Sequence, residues 1–276
     1  ISWNALIAGY AEEGQGHEAL NCFTQMQREG LSPDGVTFTL IVKACGRIGA
    51  ICKGKQIHEE IVSRRFLEKN ITLGNALVDM YVKCDKLTKA QKVLCELPER
   101  DVVSWSILIA GLTQHGQAEE TLYSFEQMQR EGISPNDVTF LCILNACSHS
   151  GRLDDAETYY ANMSRKYGIA PQIEHHTCMV ISFGQAGCFD KATAVIKSVS
   201  YLDDPSLWLA LLGACGKWGY VKLGRLSFDH VIQVGNDFAS AYVIMANIYA
   251  AAGMQEDAQK VEDMRQRHTG VAKAGQ

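Results

Sequence analysis

The chain has 276 residues, of which 47% are hydrophobic and 21% are charged, and its formal net charge at pH 7 is −5. This composition excludes intrinsic disorder, and the acidic balance argues against a protein that coats nucleic-acid phosphates without regard to sequence. The ten cysteines include no C-x-x-C pair, and the longest apolar run, Leu207–Cys215, is too short to span a bilayer. Because the chain begins at Ile1 rather than Met, we expect it to be a fragment of a longer protein.

An internal repeat dominates the sequence. Residues 25–38 read QMQREGLSPDGVTF and residues 127–140 read QMQREGISPNDVTF, which is an offset of 102 residues. The same offset relates Trp3 to Trp105. A weaker similarity relates the residues around Asn75 to those around Asn4. It divides the 102-residue repeat into segments of about 35, 36 and 31 residues. Periods of this length are typical of arrays of stacked structural repeats.

Each piece predicts two helices separated by a turn. In residues 102–136, two apolar stripes with helical spacing flank Gly116, namely Trp105, Leu108, Ile109 and Leu112, then Ala118, Leu122, Phe125 and Met128. Gly132 and Pro135 end the second stripe. One such pair cannot bury its apolar face alone, so neighbouring pairs must stack. We therefore predict an all-α fold, an α-solenoid of stacked helix-turn-helix repeats that forms a right-handed superhelix.

The segment 102–136, VVSWSILIAGLTQHGQAEETLYSFEQMQREGISPN, resembles a 35-residue pentatricopeptide repeat (PPR). The alternating lengths resemble the plant PLS class of this family, in which P, L and S motifs follow one another. The resemblance implies a P motif lacking its first residue at 1–34, an L motif at 35–70, an S motif at 71–101, a P motif at 102–136, an L motif at 137–172 and a final S motif at 173–204. Residues 205–238 resemble a first E motif, and residues 239–276 resemble a second E motif with its tail.

In this family, the fifth and last residues of a motif together read one base of single-stranded RNA. A last Asp accepts from the ring N–H of uracil or guanine, whereas a last Asn suits adenine or cytosine. At the fifth position, a small hydroxyl leaves room for a purine and Asn favours a pyrimidine. The resemblance thus pairs Asn4 with Asp34 to read U, Asn75 with Asp101 to read U, Ser106 with Asn136 to read A, and Thr177 with Asp204 to read G.

The L motifs are left unread, so the implied RNA is 5′-UnUAnG, with the edited cytidine four nucleotides beyond the last base read. Leu141, paired with Gln172, cannot hydrogen-bond a base edge. The other L motif pairs Thr39 with Asn70, and an extra residue near Arg64 and Arg65 shifts its end.

The second residue of each motif would sandwich a base between neighbouring repeats. These residues are Ile1, Val36, Val103 and Val138, with the polar Thr72 as an exception. The alternative for the valines is ordinary core packing. An excess of Lys and Arg between residues 43 and 100 suggests phosphate contacts from Lys53, Lys55, Arg64 and Arg65, with a solvated outer face as the alternative.

We predict no catalytic residue, no cofactor and no metal. His58 and Glu60 match the H-x-E of zinc deaminases, but the P-C-x-x-C that must follow is missing from the sequence. His175, His176 and Cys178 also suggest a metal site, but the resemblance places His175 and Cys178 where final S motifs commonly carry these residue types, so packing is favoured. Three cysteines that each follow an alanine, Cys45, Cys147 and Cys215, are expected to be small buried groups in a reducing compartment.

The resemblance implies an RNA-binding specificity subunit of C-to-U RNA editing in a plant organelle, either chloroplast or mitochondrion. Its partners would be single-stranded RNA and proteins of the editing machinery, and no membrane. We expect the E motifs to dock a cytidine deaminase domain, in cis or in trans, that is not contained in this chain. Two alternatives stay open: a protein-binding α-solenoid similar to tetratricopeptide repeats, and an RNA-binding protein that protects or blocks a site without editing.

Overall fold

The computed structural model describes residues 2–199, 204–234 and 238–274, with side chains described through residue 267. All regular structure in these ranges is helical, with sixteen α-helices, one 3-10 helix and no strand. The α-helices are α1 Trp3–Glu12, α2 Gly16–Arg28, α3 Gly35–Arg47, α4 Ile51–Ser63, α5 Ile71–Lys83, α6 Leu87–Glu96, α7 Val102–Gln114, α8 Ala118–Arg130, α9 Asp137–Ser150, α10 Leu153–Tyr167, α11 Ile173–Gln185, α12 Phe189–Ser198, α13 Pro205–Trp218, α14 Val221–Val234, α15 Ala239–Ala251 and α16 Gln255–Ala274. The all-α prediction is confirmed.

The chain forms two compact units, Ile1–Cys142 and Ile143–Gln276. In the first unit the helices come in pairs, and the first helix of each pair packs against the first helix of the next, α1 on α3, α3 on α5 and α5 on α7. The second helices α2, α4 and α6 pack against α3, α5 and α7. In the second unit, α11 packs on α13 and α13 on α15, while α10, α12 and α14 contact α11, α13 and α15. Each unit is therefore a stack of helical pairs.

The turns between helices use left-handed backbone conformations. Gly116 between α7 and α8 has a φ of 70°, and Gly132 after α8 has a φ of 76°, a region that glycine enters without steric cost. Asp85 takes the same place between α5 and α6 with a φ of 56°. After α4, Arg65 has a φ of 58° and precedes the 3-10 helix Phe66–Lys69, so this connection differs from the others.

The sequence repeat becomes a repeat of core contacts. Phe23 and Phe38 lie with their ring centroids 6.2 Å apart, and the residues 102 positions later, Phe125 and Phe140, lie 5.7 Å apart. All four rings are buried within the first unit. Because full burial of such a side chain contributes roughly 1.5–3 kcal/mol, these pairs are anchors of the stack.

The three alanine-flanked cysteines are buried, as expected. Cys45, Cys147 and Cys215 are at most 1% exposed. Burial raises the pKa of Cys45 to about 11 and the pKa values of Cys147 and Cys215 to about 12. These thiols are therefore protonated and inert at neutral pH.

Candidate functional site

The first predicted reading pair, Asn4 and Asp34, is brought together by packing of α1 against α3. Asp34 caps the N-terminus of α3, where its Oδ1 accepts from the backbone N–H of Thr37 at 2.8 Å. The side-chain amide of Asn4 donates to Asp34, with Nδ2 3.3 Å from Oδ1 and 3.4 Å from Oδ2. The Thr37 hydroxyl lies 2.7 Å from Asn4 Oδ1 and 2.8 Å from Asp34 Oδ1. Three side chains from neighbouring pairs thus form one cluster.

The second predicted pair has the same arrangement. Asp101 caps α7 and accepts from the backbone N–H of Ser104 at 2.8 Å. Asn75 Nδ2 on α5 lies 3.4 Å from Asp101 Oδ1. The Ser104 hydroxyl is 2.6 Å from Asn75 Oδ1 and 2.9 Å from Asp101 Oδ1. The two pairs predicted to read the same base are therefore built alike.

Hydrogen bonds keep both carboxylates ionised. The backbone N–H and the hydroxyl of Thr37 are the main reasons why the pKa of Asp34 is lowered. For Asp101, burial alone raises the pKa, but the bonds from Ser104 and Asn75 outweigh it and the pKa is lowered. An ionised carboxylate only accepts hydrogen bonds. Each pair therefore presents an obligate acceptor beside an amide.

The third predicted pair, Ser106 and Asn136, lines an open groove without the contact seen in the first two. The Ser106 hydroxyl donates to the carbonyl of Val102 at 2.6 Å. Asn136 Oδ1 accepts from the backbone N–H of Thr139 at 2.9 Å and from its hydroxyl at 2.6 Å. The groove has a volume of about 400 Å³. It is bordered by Asp79, Val82, Lys83, Val103, Ser106, Ile107, Ala110, Gly111, Gln114, Asn136 and Val138.

The fourth predicted pair makes separate local contacts. The Thr177 hydroxyl on α11 donates to the carbonyl of Ile173 at 2.8 Å. Asp204 precedes α13, where its Oδ1 accepts from the backbone N–H of Ser206 at 2.8 Å. Both side chains are half-buried. Their joint reading of a base stays a prediction.

The predicted sandwich residues are exposed rather than packed in the core. Val36 is 58% exposed, Val103 is 48% and Val138 is 47%, and Thr72 is exposed as well. Val103 and Val138 border the groove that holds Ser106 and Asn136. Core packing, the alternative for the valines, is thereby excluded. Ile1 lies outside the described residues.

The basic residues suggested for phosphate contact lie on or just after α4, and two of them form ion pairs. Lys53 and Lys55 are on α4, a second helix, whereas Asn4, Asn75 and Ser106 are on first helices. Arg64 is 2.7 Å from Glu60, and Arg65 is 3.8 Å from Glu68. These positions favour the alternative of a solvated outer face.

Two groups of residues at the site were not predicted from the sequence. The first is the hydroxyl three positions after the last residue of the first three predicted pairs, at Thr37, Ser104 and Thr139, and the spacing of a reciprocal helix cap would have revealed it. The second is Lys83 on α5, which borders the groove and pairs with Asp79 at 2.6 Å. The (i, i+4) spacing in the sequence predicts this ion pair, but the sequence does not show that Lys83 borders the groove.

Two of the histidines that could suggest a metal, His58 and His176, are packed against tyrosines, whereas His175 Nδ1 accepts from the backbone N–H of Gln172 at 3.1 Å. His58 Nδ1 is 2.9 Å from the Tyr81 hydroxyl, and His176 Nδ1 is 2.5 Å from the Tyr160 hydroxyl. Burial, aided by the charge of Lys89, lowers the pKa of His58; burial also lowers that of His176. Among the residues that the structure describes, no three His, Cys, Asp or Glu side chains are grouped to hold a metal ion. Nor is any helix of that part of the chain both long and apolar enough to cross a membrane.

The second unit exposes an aromatic cleft, which we define by Phe189, Trp218 and Tyr220. Trp218 is 53% exposed and Tyr220 is 47% exposed. The rings of Phe189 and Tyr220 are 5.2 Å apart, and Trp218 Nε1 donates to the carbonyl of Gly184 at 2.9 Å. The cleft has a volume of about 670 Å³. Exposed aromatic groups in such a cluster are typical of contact surfaces.

The stacked helical pairs define a helical repeat protein, and comparison with known proteins shows the family to which it belongs. A sequence profile of the PPR repeat family matches residues 1–47 and 100–149, and a PPR repeat profile matches residues 75–102 and 138–167. Together these segments cover about half of the chain. The chain belongs to the pentatricopeptide repeat family.

Curated relatives from Arabidopsis thaliana carry the same family name. The chain is 36% identical over 273 residues to the pentatricopeptide repeat-containing protein At4g16470, covering 99% of this chain and 54% of that protein. It is 38% identical over 275 residues to the chloroplastic protein CRR2, and 36% identical over 273 residues to the mitochondrial protein At2g03880. These alignments cover 99% of this chain but only 42% and 43% of the two relatives. The chain therefore spans about half of these relatives or less.

Solved structures share the fold. The pentatricopeptide repeat protein PPR10, crystallised in complex with an 18-nucleotide psaJ RNA element, superimposes with a TM-score of 0.75 at 16% sequence identity. The alignment covers 97% of this chain and 40% of that one. The crystal structure of PPR10 from maize gives a TM-score of 0.59 at 20% identity. The predicted α-solenoid fold class is confirmed.

Proposed function

We propose that this chain recognises single-stranded RNA by sequence, with one base read per repeat. The observation that carries the proposal is the pair of matching clusters at Asn4 with Asp34 and at Asn75 with Asp101. A protein-binding solenoid has no reason to repeat an amide and an ionised carboxylate at the same two places. The RNA complex of PPR10 and the family membership support the same conclusion.

The chemistry of the clusters suits uracil. Uracil offers a ring N–H beside a carbonyl, whereas cytosine offers an unprotonated ring nitrogen beside an amino group. The carboxylate of Asp34 accepts from the ring N–H, and the amide N–H of Asn4 that is not donated to Asp34 faces a carbonyl. Cytosine would set its ring nitrogen against the carboxylate, so two acceptors would oppose each other. The same holds for Asn75 and Asp101.

The groove at Ser106 and Asn136 suits adenine. Ser106 is small and leaves the groove, of about 400 Å³, open between Val103 and Val138. An amide at Asn136 can both donate to and accept from an adenine edge, which a carboxylate cannot do. The exposed valines would pack on the two faces of the base. Thr177 with Asp204 completes the proposed element 5′-UnUAnG.

We further propose that the chain is of the PLS class and specifies cytidines for C-to-U editing in a chloroplast or mitochondrion. Residues 205–276 would be the two E motifs and would contact the deaminase or its accessory proteins. The aromatic cleft, through Trp218 and Tyr220, supports a protein-contacting role for this region. Relatives named chloroplastic and mitochondrial support an organellar location.

A gel-shift comparison at fixed moderate salt tests RNA reading. One single-stranded RNA contains UnUAnG and the other carries G in place of its A. We expect about tenfold tighter binding of the first RNA, because a mismatch typically costs about 1–3 kcal/mol. Equal binding of both RNAs would contradict the reading of bases and would favour a surface that binds protein.

A matched pair of tyrosine variants tests the proposed docking of editing proteins. Tyr220→Ala removes part of the aromatic cleft, whereas Tyr123→Ala removes a tyrosine that is 61% exposed on α8. In a pull-down with organellar editing proteins, we expect Tyr220→Ala to reduce capture and Tyr123→Ala to leave it unchanged. Both variants should bind RNA as the unmodified chain does. Equal capture by both variants would contradict a role for the cleft.

A further inference from the structure

A buried hydroxyl joins the two reading groups at each predicted U site. Thr37 and Ser104 are both 0% exposed, whereas Asp34 is exposed, Asn4 and Asp101 are half-buried, and Asn75 is 8% exposed. The Thr37 hydroxyl contacts the amide oxygen of Asn4 and the carboxylate of Asp34 at once. Ser104 does the same for Asn75 and Asp101. Each hydroxyl therefore lies within hydrogen-bond distance of both members of its pair and can give its single proton to the oxygen of either one.

The predicted A site shows that this link is not a general feature of the helix caps. Thr139 is equally buried and caps α9 through Asn136 in the same reciprocal way. Its hydroxyl contacts Asn136 at 2.6 Å, while Ser106 bonds to the carbonyl of Val102 instead. The bridge between fifth and last residues thus occurs where the fifth residue is Asn.

The bridge determines which end of the amide faces the carboxylate. An asparagine amide has a donor end and an acceptor end of similar shape, so its orientation follows from its hydrogen-bond partners. At Asn4, the oxygen faces the hydroxyl of Thr37 and the nitrogen faces Asp34. A reversed amide would place its oxygen against an ionised carboxylate. The hydroxyl and the carboxylate therefore favour the same orientation.

We propose that Thr37 and Ser104 are positioning residues that orient the amides of Asn4 and Asn75 and thereby set the preference for uracil over cytosine. This inference rests on the proposed RNA-reading function. With the amide nitrogen held beside the carboxylate, each site offers an N–H donor next to a carboxylate acceptor, which is the complement of uracil. Without the hydroxyl, the amide oxygen loses its partner and the amide can turn its acceptor towards the amino group of cytosine.

The test removes each hydroxyl and measures base preference one site at a time. Thr37→Val keeps the shape of the side chain, and Ser104→Ala removes only the hydroxyl. Binding is compared for UnUAnG RNA and for two RNAs with C at the first or at the third base. We expect Thr37→Val to lower the U-over-C ratio about fivefold at the first base alone, as the loss of one hydrogen bond implies. Ser104→Ala should do so at the third base alone.

Three control variants separate positioning from stability. Thr37→Ser and Ser104→Thr keep a hydroxyl at each site and should retain the preference for U. Thr121→Val removes another fully buried hydroxyl, which donates to the carbonyl of Gln117 at 2.7 Å on α8. It should lower the melting temperature and leave both base preferences unchanged.

The outcomes distinguish this inference from the function on which it rests. An unmodified chain that shows no preference for U at either base overturns the proposed function, and the inference with it. An unmodified chain that prefers U, with ratios that persist in Thr37→Val and Ser104→Ala, overturns the inference alone. The same is true if either variant changes the ratio equally at both bases, because a local bridge cannot act on the distant site.

Discussion

At the scale of single residues, the two carboxylate oxygens of Asp34, a predicted reading residue, have different partners. Asp34 Oδ1 accepts from the backbone of Thr37, whereas Asp34 Oδ2 has Asn4 as its neighbour at 3.4 Å. The carboxylate is thus fixed by one oxygen and can present the other to a base. Such pre-organisation reduces the entropy lost when a ligand binds.

The last residue of the predicted A site gives the sharpest residue-scale prediction. Asn136→Asp replaces an amide with a carboxylate that can cap α9 in the same way, because both side chains accept from Thr139. An acceptor at this place suits the ring N–H of guanine and repels the ring nitrogen of adenine. We expect the base preference to shift from A towards G in gel shifts with UnUAnG and UnUGnG. An unchanged preference for A would contradict the proposed register.

The lowered pKa values of Asp34 and Asp101 predict a broad pH range for U recognition. Since the ordinary pKa is 3.8 and both values lie below it in the folded chain, both carboxylates are ionised from pH 5 upwards. Their ionised forms stabilise the fold above about pH 3.8, and this contribution is lost as the pH falls through the lowered values.

We therefore expect the U-over-C ratio to stay constant between about pH 5.5 and 8 at fixed salt, as measured by titration with labelled RNA. A ratio that falls on acidification within this range would mean that a carboxylate is not the group that reads the base.

At the scale of helices, close approach of neighbouring first helices depends on glycine. A Cβ added at Gly111 on α7 would lie 2.5 Å from Cγ1 and 2.9 Å from Cγ2 of Val82 on α5. Valine is stiff at χ1, so the helices themselves would have to move apart. This contact lies beside the groove of the predicted A site.

Gly111→Ala is therefore expected to destabilise the first unit by about 1–3 kcal/mol, through overpacking between α5 and α7. Gly9→Ala is the matched control, because a Cβ at Gly9 in α1 would meet no atom within 4 Å. The control should gain about 0.5–1 kcal/mol from the higher helix propensity of alanine. Urea unfolding measures both, and midpoints that move in the same direction would contradict the expected overpacking.

At the scale of the whole molecule, the ten cysteines report on the integrity of the stack. Cys52 and Cys95 are exposed, whereas Cys45, Cys142, Cys147, Cys178 and Cys215 are buried. Burial raises the pKa of Cys142 to about 11, as it does for Cys45. A thiol reacts as its thiolate, so burial and the raised pKa both slow the reaction of Cys45 and Cys142.

Titration with a thiol-specific chromogenic reagent should therefore show fast reaction of Cys52 and Cys95 in the native chain, with the five buried thiols reacting only on unfolding. In denaturant all ten should react. The double variant Cys52→Ser and Cys95→Ser should lack the fast phase. Rapid reaction of Cys45 or Cys147 in the native chain would show that the core of its unit opens readily.

Much of the fold could be predicted from the amino-acid sequence, because the sequence itself is periodic. The offset of 102 residues, the helical spacing around Gly116 and the positions of Asn4 and Asn75 all follow from one repeat register. The helical pairs could be predicted from the spacing of apolar residues along the chain. The burial of Cys45 and Cys147 could be predicted from their recurrence at the same place in the repeat. Residue spacing and recurrence along the chain were therefore sufficient to predict these features.

Tertiary packing alone determined the surroundings of the predicted reading residues. Only the contact of α1 with α3 brings the Thr37 hydroxyl between Asn4 and Asp34, which are 30 residues apart. The exposure of Val36 could not be separated from core packing by pattern, because a valine beside a helix start suits either place. Side-chain contact between repeats depends on how closely neighbouring helices approach, and that distance is set by the packing of the whole stack rather than by the order of residues within one repeat.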